Sequence, residues 1–424
     1  MRGSDLPGRI QLLAVLMAMN SLPVAAAEWS ATPGLNITAH HNDNVTMRSS
    51  NELSSAGYSV TPRLDLAGRE ENWDMNMRTV VRSTRYRDLD NADSDNYFFN
   101  LGGGYNTETQ RFGLATSFTR NNTYDTDYDT QLPGAQLVDD HTERETTQFT
   151  PYWTWQMTET GTLDVSLISQ DVEYDEVTTL SYKDYQIDTA QIRSIWNLTS
   201  RSQLGFSLQY QMYTSEKFPF TYQGQSFEDY TEFDNQSYRM EYTYQLSESS
   251  RFDASLGKRR TTTTFHSQAV GCLASLGTIC LLYEIGDVEI TDDGADLALE
   301  YSHSNEVSSF QVSLSRMVQP ASFGGAQEID KVVLNYKYSW SERIKSRILL
   351  EAFETTSIDG LDAANDRERY RIEPRLSWKL AKDWQLDLSY RHISQTLTQT
   401  GVDSQSNMFI VGLNMTWPKL FSTF

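Results

Sequence analysis

The sequence is poor in hydrophobic residues and has no long apolar segment. Only 38% of its 424 residues are hydrophobic, and the mean hydropathy is −0.54. A helix that crosses a bilayer needs about 20 consecutive apolar residues, and no part of the chain supplies them. A water-soluble enzyme of this length would carry more Leu, Ala and Val in buried helices. The composition therefore argues against helical membrane spans and against a soluble helical enzyme.

Basic residues are also in short supply. The chain has 35 Lys and Arg against 57 Asp and Glu, which gives a formal net charge of −22. Because binding to nucleic acid needs a basic surface that contacts phosphates, we exclude nucleic acid as a partner. Acidic outer loops would fit a cell surface where divalent cations bridge lipopolysaccharide. The simpler interpretation is that these loops are only solvated.

Histidine is scarce, and none of the six histidines lies in a catalytic pattern. A lipase or deacylase needs a Ser–His pair and a third group that orients the histidine. No catalytic spacing surrounds His392 or any other histidine of the chain. We predict that the protein is not an enzyme and holds neither a metal nor a cofactor.

The first 27 residues have the pattern of a secretory signal peptide. Arg2 and Arg9 form a positive start, Ile10 to Met19 is a short apolar core, and three alanines precede Glu28. This core is too short to anchor the chain in a membrane. We expect residues 1–27 to be removed on export and residues 28–424 to form one domain.

The chain has only two cysteines, Cys272 and Cys280, eight positions apart. An exported protein meets an oxidising compartment, where cysteine pairs form disulfides. We therefore predict a disulfide between Cys272 and Cys280.

The strongest positive signal is the alternation of apolar and polar residues, in a chain with 12% aromatic residues. Phe409, Val411, Leu413 and Met415 alternate with Ile410, Gly412 and Asn414, and similar runs recur along the chain. A period of two indicates β-strands. A lipid-facing barrel needs an apolar residue only at every second strand position, so its mean hydropathy is low.

This alternation predicts about 18 strands, with 16 to 20 possible, each long enough to span a bilayer when tilted. The predicted strands cover residues 34–46, 56–68, 73–86, 95–106, 110–121, 145–157, 161–173, 185–198, 202–214, 235–246, 250–263, 293–303, 307–318, 329–340, 343–355, 367–380, 383–395 and 405–417.

Short and long connections alternate between the predicted strands. The long, polar connections cover residues 122–144, 174–184, 215–234, 264–292 and 356–366. Short periplasmic turns and long outer loops are typical of bacterial outer-membrane barrels. The predicted fold is a transmembrane, antiparallel, up-and-down β-barrel, and it has no plug domain because the strand pattern begins soon after Glu28. We expect a monomer in contact with outer-membrane lipid and lipopolysaccharide.

The last predicted strand carries a second signal, since Gly412, Met415 and Trp417 have the spacing that barrel-assembly machinery recognises. We therefore expect this machinery to insert the chain into the outer membrane.

Charged residues within the predicted strands have the parity opposite to that of the lipid-facing residues. A lipid-facing charge at the bilayer midplane costs about 2–4 kcal/mol, so these side chains are predicted to face the interior. One interpretation is that they guide an anionic or hydroxyl-rich solute. The other is a lattice of salt bridges that stiffens the wall, with Asp387 as a further partner. The predicted pore-lining residues are Arg78, Arg82, Arg347, Glu351, Arg371, Glu373, Arg375 and Arg391.

Two features do not fit simple strands. The connection 264–292 is apolar from Ala269 to Leu282, which predicts either a segment that folds into the lumen or docks on a partner, or a compact loop held by its disulfide. Three strands contain proline, at Pro62, Pro151 and Pro374. Proline removes one hydrogen bond of the ladder, so we expect a β-bulge or a local bend at each.

The opening of the predicted mature chain resembles a known family. The segments are Pro33-Gly34-Leu35-Asn36-Ile37-Thr38, Asp43-Asn44 and Tyr58-Ser59-Val60-Thr61-Pro62-Arg63-Leu64. They resemble the β-barrel porins that occur in exopolysaccharide and exosortase gene clusters. The resemblance implies an outer-membrane pore for exopolysaccharide export that works with a periplasmic polysaccharide-export protein, and it assigns no catalytic residues. The alternatives are a general or solute-selective diffusion porin and a structural or adhesive surface barrel with a closed lumen.

Overall fold

The computed structural model describes residues 28–122, 142–175, 183–222, 225–276, 279–320, 325–358 and 366–423, but not the side chains of residues 269–284 and 421–423. The predicted signal peptide lies outside these residues. Within the described ranges, no helix is long and apolar enough to cross a bilayer.

The described chain is almost entirely β-strand, apart from connecting turns and loops. The strands are β1 (Glu28–Asn42), β2 (Ser55–Arg69), β3 (Trp73–Tyr86), β4 (Ser94–Asn106), β5 (Gln110–Asn122), β6 (Glu143–Gln156), β7 (Gly161–Tyr174), β8 (Tyr185–Asn197), β9 (Ser202–Ser215), β10 (Phe218–Tyr222), β11 (Gln225–Asp229), β12 (Thr231–Ser247), β13 (Ser250–Leu276), β14 (Ile279–Ser304), β15 (Ser308–Pro320), β16 (Ala326–Ser339), β17 (Ile344–Ser357), β18 (Arg367–Lys379), β19 (Trp384–Leu397), β20 (Val402–Thr416) and β21 (Leu420–Thr423).

Eighteen of these strands close into one antiparallel barrel. Each of β1–β9 and β12–β20 pairs with its neighbour along the chain, β9 pairs with β12, and β20 pairs with β1. The strands β10 and β11 form a separate hairpin, and β21 pairs with the start of β1 beyond β20. The predicted fold class and strand number are confirmed. The first strand starts at Glu28 rather than residue 34, because Glu28 pairs with both Arg69 and Thr423.

Alternation along the strands separates an apolar outer wall from a largely polar interior. On β9, the even-numbered residues Phe206, Leu208 and Tyr210 are exposed, whereas the odd-numbered residues Ser207 and Tyr213 are buried. The outward side chains form an apolar band of the kind that bilayer hydrocarbon covers. Exposed tryptophans lie beside the short turns, where amphipathic rings favour the headgroup level. They are Trp155, Trp196, Trp340, Trp378, Trp384 and Trp417.

The connections alternate as predicted. Turns such as 70–72, 107–109 and 380–383 are short and lie at one end of the barrel. Glu28 also lies at this end, because it pairs with Arg69 beside the first of these turns. The longer connections lie at the other end, and most of the predicted outer loops 122–144, 174–184 and 356–366 falls outside the described residues.

The three strand prolines interrupt the ladder on one side without a bulge. Pro62 pairs with Leu35 on β1, but pairing with β3 stops at Val60 and resumes in the same register at Arg63. Pro151 and Pro374 interrupt the pairing of β6 with β7 and of β18 with β19 in the same way. Because the register does not shift, the predicted β-bulge is wrong at these prolines, and the alternative, a local bend, stays a prediction. Proline lacks only its N–H, so the ladder is lost toward one neighbour and kept toward the other.

The predicted loop 264–292 is a long hairpin instead. The strands β13 and β14 pair, with shifts in register, as far as Leu276 and Ile279. The neighbouring strand β12 pairs with β13 only as far as Phe265, opposite Thr231, so the hairpin extends well beyond β12. The sequence before residue 269 is rich in threonine, and such β-branched residues favour strands. The backbone of Cys272 pairs with Tyr283, and the backbone of Cys280 pairs with Ser275. The cysteine side chains lie outside the described residues, so the disulfide stays a prediction.

Candidate pore lumen

One sector of the interior, on β16–β19, is dominated by cations. Outward residues on these strands, such as Ile348, Tyr370 and Leu388, are exposed, and the alternate positions face inward. We call this inner surface the basic wall. Its charged residues include Lys331, Lys337, Arg347, Glu351, Arg367, Arg369, Arg371, Glu373, Arg375, Asp387 and Arg391.

Glu373 is at the centre of the basic wall. Its carboxylate accepts hydrogen bonds from Arg371 Nη2 at 2.6 Å, Arg375 Nη2 at 2.9 Å and Arg391 Nε at 2.8 Å. The side chain of Glu373 is only 6% exposed. One buried carboxylate thus holds three guanidinium groups from two adjacent strands. Such buried pairs are held by several charge-assisted hydrogen bonds rather than by a single contact.

The remaining predicted members lie around this centre. Arg347 donates from Nε to Asn335 Oδ1 at 2.9 Å, and Glu351 lies 3.5 Å from the ammonium of Lys331. Asp387 accepts a hydrogen bond from Ser377 Oγ at 2.5 Å. The structure therefore contains part of the predicted salt-bridge lattice, and its cations outnumber its carboxylates.

Arg367 and Arg369 belong to the same wall, and they were missed in the sequence analysis. Both are buried, and each guanidinium lies 5.8 Å from the ring centroid of Phe353, within the range of a cation–π interaction. They have the same parity as Arg371 on the same strand, so extending the alternation outward would have found them. They carry the positive charge of the wall toward the end of the barrel with the long connections.

Arg78 and Arg82 lie elsewhere in the interior, on β3. Arg78 Nε donates to Asp65 Oδ1 on β2 at 2.5 Å. The guanidinium of Arg82 lies 5.6 Å from the ring centroid of Phe98. The strands β20, β1 and β2 separate this pair from the basic wall. The structure therefore does not bring all the predicted lining residues into one site.

The interior of β6–β9 is different, because the inward side chains half-way along these strands include uncharged amides. Gln148 on β6 is directly opposite Gln170 on β7, and Gln191 on β8 is directly opposite Gln209 on β9. Together with Gln211 they form a surface that we call the glutamine shelf. The shelf borders a cavity of about 340 Å³, whose other side is formed by the end of β15.

Toward the long-loop end, aromatic rings follow the shelf. Tyr174, Tyr185, Tyr213 and Phe233 lie on consecutive barrel strands, with ring centroids 6.5, 5.1 and 6.4 Å apart. We call this row the aromatic strip. The rings are buried and form one apolar cluster.

The end of the β15–β16 hairpin covers the aromatic strip. Pairing between β14 and β15 stops at Leu297 and Arg316, although β15 continues to Pro320. Val318 and Ala326, near the end of this hairpin, belong to the same buried cluster as the strip. The strip lies on β7–β9 and β12, which are not neighbours of β15 or β16 in the sheet. The strand β15 therefore separates from β14, whereas β16 stays paired with β17 as far as Gln327, and the hairpin end bends across the lumen onto the strip.

An ion pair supports this position of the hairpin. Arg259 on β13 donates from Nη2 to Glu328 Oε2 on β16 at 2.5 Å, and its side chain is only 1% exposed. A contact from β13 to β16 bypasses β14 and β15. The hairpin end narrows the lumen. The sequence analysis offered this role as one interpretation of a different segment, residues 264–292.

The connection after β1 is also closely packed. Val45 and Met47 are buried, and Asn44 donates from Nδ2 to the backbone carbonyls of Arg48 and Gln405, both at 2.8 Å. This connection is thus packed against β20 at the long-loop end.

A buried carboxyl lies beside the aromatic strip, outside the strands. Asp184 accepts a hydrogen bond from the backbone N–H of Tyr174 at 2.7 Å. Burial raises the pKa of the Asp184 carboxyl, the N–H of Tyr174 opposes this shift, and the nearby carboxylates of Glu216, Asp171 and Asp175 add to it. This carboxyl is therefore expected to make the stability of the rim depend on pH.

The barrel also contains a Ser–His contact. Ser250 Oγ and His303 Nδ1 are 2.8 Å apart, at the end with the short turns. Activation of a serine needs an imidazole that a third group orients, and no carboxylate in the described residues contacts His303. Nor do those residues include a group of three or more His, Cys, Asp or Glu side chains that could hold a metal ion.

The fold and the lumen define the class of this protein as a membrane-spanning, 18-stranded β-barrel with a charged interior. No family model matches the chain, and no curated protein matches it.

Solved barrel structures show a distant likeness. The chain is 10% identical to OccK2 (OpdF) of Pseudomonas aeruginosa, solved in complex with glucuronate, with 92% of this chain and 98% of that chain covered and a TM-score of 0.46. It is 12% identical to OpdL of the same species, with 92% of this chain and 99% of that chain covered and a TM-score of 0.43. It is also 12% identical to the ferric yersiniabactin uptake receptor FyuA of Yersinia pestis, with 88% of this chain and 62% of that chain covered and a TM-score of 0.47. None of these matches assigns a family or a cargo to the chain.

Proposed function

We propose that this barrel is a pore in the outer membrane of a Gram-negative bacterium and that it passes a polar solute with negative charge. The observation that carries the proposal is the basic wall. The chain as a whole has a formal charge of −22, yet one interior sector concentrates Lys331, Arg347, Arg367, Arg369, Arg371, Arg375 and Arg391. Barrels of 16 to 18 strands are wide enough to leave an aqueous channel. Cations along the wall of a channel attract anions and raise their local concentration.

The finer proposal is export of an acidic exopolysaccharide. It is supported by the resemblance of the opening segments to barrels of exopolysaccharide gene clusters, and a polymer with carboxylates would suit the basic wall. The short-turn end would face the periplasm, where a polysaccharide-export protein is the proposed partner.

A solute-selective diffusion porin is the second candidate. One observation favours it, because the hairpin end narrows the lumen and leaves a cavity of about 340 Å³ at the shelf. A cavity of this size suits a small solute better than a polymer chain.

Ion selectivity in planar bilayers tests the pore itself. The reversal potential across a KCl gradient is expected to show preference for chloride over potassium. Replacing Arg371→Gln and Arg375→Gln together is expected to reduce this preference. The control is Arg260→Gln, because Arg260 forms an exposed ion pair with Asp293 at 2.8 Å, outside the basic wall. A barrel that prefers potassium, or that does not conduct, would contradict the proposal.

Deletion of the gene separates the two candidates. Loss of surface polysaccharide, with polymer retained in the periplasm, is the result expected for export. Unchanged surface polysaccharide together with slower uptake of small acidic sugars would favour the diffusion porin.

A further inference from the structure

The glutamine shelf presents amide groups that the protein does not use. Gln170, Gln191 and Gln209 are half-buried on the interior face of β7, β8 and β9. No described residue forms a hydrogen bond with their side-chain amides. By contrast, Gln148 donates to Thr150 at 3.1 Å, and Gln211 donates weakly to Thr189 at 3.4 Å. Three amides are therefore available to a molecule in the lumen.

The chemistry of these amides differs from that of the basic wall. A glutamine side chain both donates and accepts hydrogen bonds, whereas an arginine only donates. An anion accepts hydrogen bonds and gains little from a row of amide carbonyls. A hydroxyl group both donates and accepts, so it matches a glutamine on both counts. The direct pairing of Gln191 with Gln209 and of Gln148 with Gln170 places such groups on adjacent strands, which are about 4.8 Å apart.

Two neighbouring features match a ligand that also has apolar surface. Ile168 and Ile187 line the cavity beside the glutamines. Val318 and Pro320 at the end of β15 line the same cavity. The cavity of about 340 Å³ is also lined by Arg316 and by Arg239, which pairs with Asp296. Polar groups around an apolar patch in a cavity of this size are typical of a small-molecule site. Sugar rings combine hydroxyl edges with C–H faces.

We propose that the glutamine shelf is a saccharide subsite that binds the hydroxyl groups of a sugar in the lumen. This proposal rests on the proposed pore function and refines it. The basic wall would select negative charge, and the shelf would select hydroxyl groups, so the preferred solute is an acidic saccharide rather than an inorganic anion.

The test is interruption of the ion current by added sugar, measured on the full-length barrel in planar bilayers. The probes are a neutral glucose hexamer, a galacturonic acid hexamer and a polyethylene glycol of the same hydrodynamic size. Both sugars are expected to interrupt the current, and the polyether, which has few hydroxyl groups, is expected to do so much less.

The variant combines Gln170→Met, Gln191→Met and Gln209→Met, which keep the approximate side-chain volume and remove the amides. Loss of the hydrogen bonds is expected to weaken sugar-induced block about tenfold. The chloride preference should be unchanged, because the basic wall is intact. The matched control is Gln311→Met, since Gln311 faces the interior on β15 but does not line the cavity.

The outcomes separate the two proposals. Equal block of wild type and the triple variant, or absence of block in a conducting wild type, overturns the shelf and leaves the pore standing. Absence of conductance overturns the pore. Equal block by the polyether would show a size filter only, which also overturns the shelf. Heat-dependent migration in electrophoresis checks assembly. If the triple variant does not assemble, Gln191→Met alone is expected to weaken the block about threefold.

Discussion

At the scale of single residues, Glu373 shows how a carboxylate controls a basic surface. It accepts hydrogen bonds from Arg371, Arg375 and Arg391, and its side chain is almost completely buried. Removing one partner of a buried ion pair leaves an uncompensated charge. Here three cations would lose their common counter-ion.

Glu373→Ala is therefore expected to destabilise the barrel by about 3 kcal/mol and to increase its chloride preference. Denaturant unfolding in detergent and reversal potentials measure the two effects. Asp293→Ala is the control, because it removes an exposed carboxylate from the ion pair with Arg260. Similar losses of stability in both variants would mean that burial of Glu373 contributes nothing specific.

Gly113 is a second residue whose identity is dictated by its surroundings. An added Cβ would lie 2.0 Å from Cζ of Tyr152, whose ring covers the glycine on the next strand. The hydroxyl of Tyr152 accepts a hydrogen bond from Arg111 Nε at 3.2 Å, and Arg111 in turn pairs with Asp74 at 2.7 Å. A larger residue must displace this ring and break the first contact.

Gly113→Ala is expected to destabilise the barrel by about 1–2 kcal/mol through overpacking. The comparison is Gly412→Ala, where the nearest atom would be Thr38 Cγ2 at 3.2 Å. The midpoint of thermal unfolding measures both. Equal midpoints would show that the Tyr152 ring moves without cost.

Asp184 predicts a dependence on pH. Its pKa in the folded protein is raised, first of all by burial, above the unfolded value of about 3.9. The folded state therefore binds the proton more tightly, so this contribution to stability is fully present below about pH 3.9 and is lost as the pH rises through the folded pKa. Asp184→Asn is expected to be more heat-stable than wild type at pH 7 and similar to it near pH 3. Asp88→Asn, an exposed change at the same end of the barrel, should show no such difference.

At the scale of the elements, the β15–β16 hairpin combines two environments. Up to Arg316 the strand β15 belongs to the wall, and beyond it Val318 packs on the aromatic strip across the lumen. The position of the hairpin end is thus held by this apolar cluster, by the Arg259–Glu328 ion pair and by the ladder with β17, and not by pairing with β14.

Val318→Asp is expected to release the hairpin end and raise the single-channel conductance. Burying an unpaired carboxylate among these rings would cost about 3 kcal/mol or more, which corresponds to a shift of roughly a hundredfold in population. The control is Val307→Asp, an exposed position in the turn before β15. Unchanged conductance in the Val318 variant would show that the hairpin end does not limit ion flow.

Alternation could predict the walls but not the ends of the elements. The predicted strand 73–86 matches β3, since Trp73 and Tyr86 bound a clean alternation. The hairpin β13–β14 continues well past the predicted ends, because threonine-rich segments fit a strand and a polar loop equally well. Val318 has the parity of the outward residue Leu314, so periodicity alone would place it in lipid. Only the three-dimensional path of the hairpin shows that it packs across the lumen.

At the scale of the whole molecule, charge and neutral polarity occupy different sectors of one lumen. The basic wall lies on β16–β19, and the glutamine shelf lies on β6–β9. Parity could predict Arg371, Glu373, Arg375 and Arg391 as interior residues, because charges are expensive in lipid. The shelf could not be predicted in the same way, because glutamine is tolerated in many settings and the free amides become visible only once the neighbouring strands are in register.

Closure of the cylinder joins the two ends of the chain. Asn36 on β1 donates a hydrogen bond to Asn414 on β20, a contact between residues 378 positions apart. A polypeptide that stops before Val402 would expose the backbone of both β1 and β19 to hydrocarbon, where no water can satisfy it. The pairing of β1 therefore stays incomplete until β20 has been made, so we expect truncation before β20 to abolish assembly of the barrel.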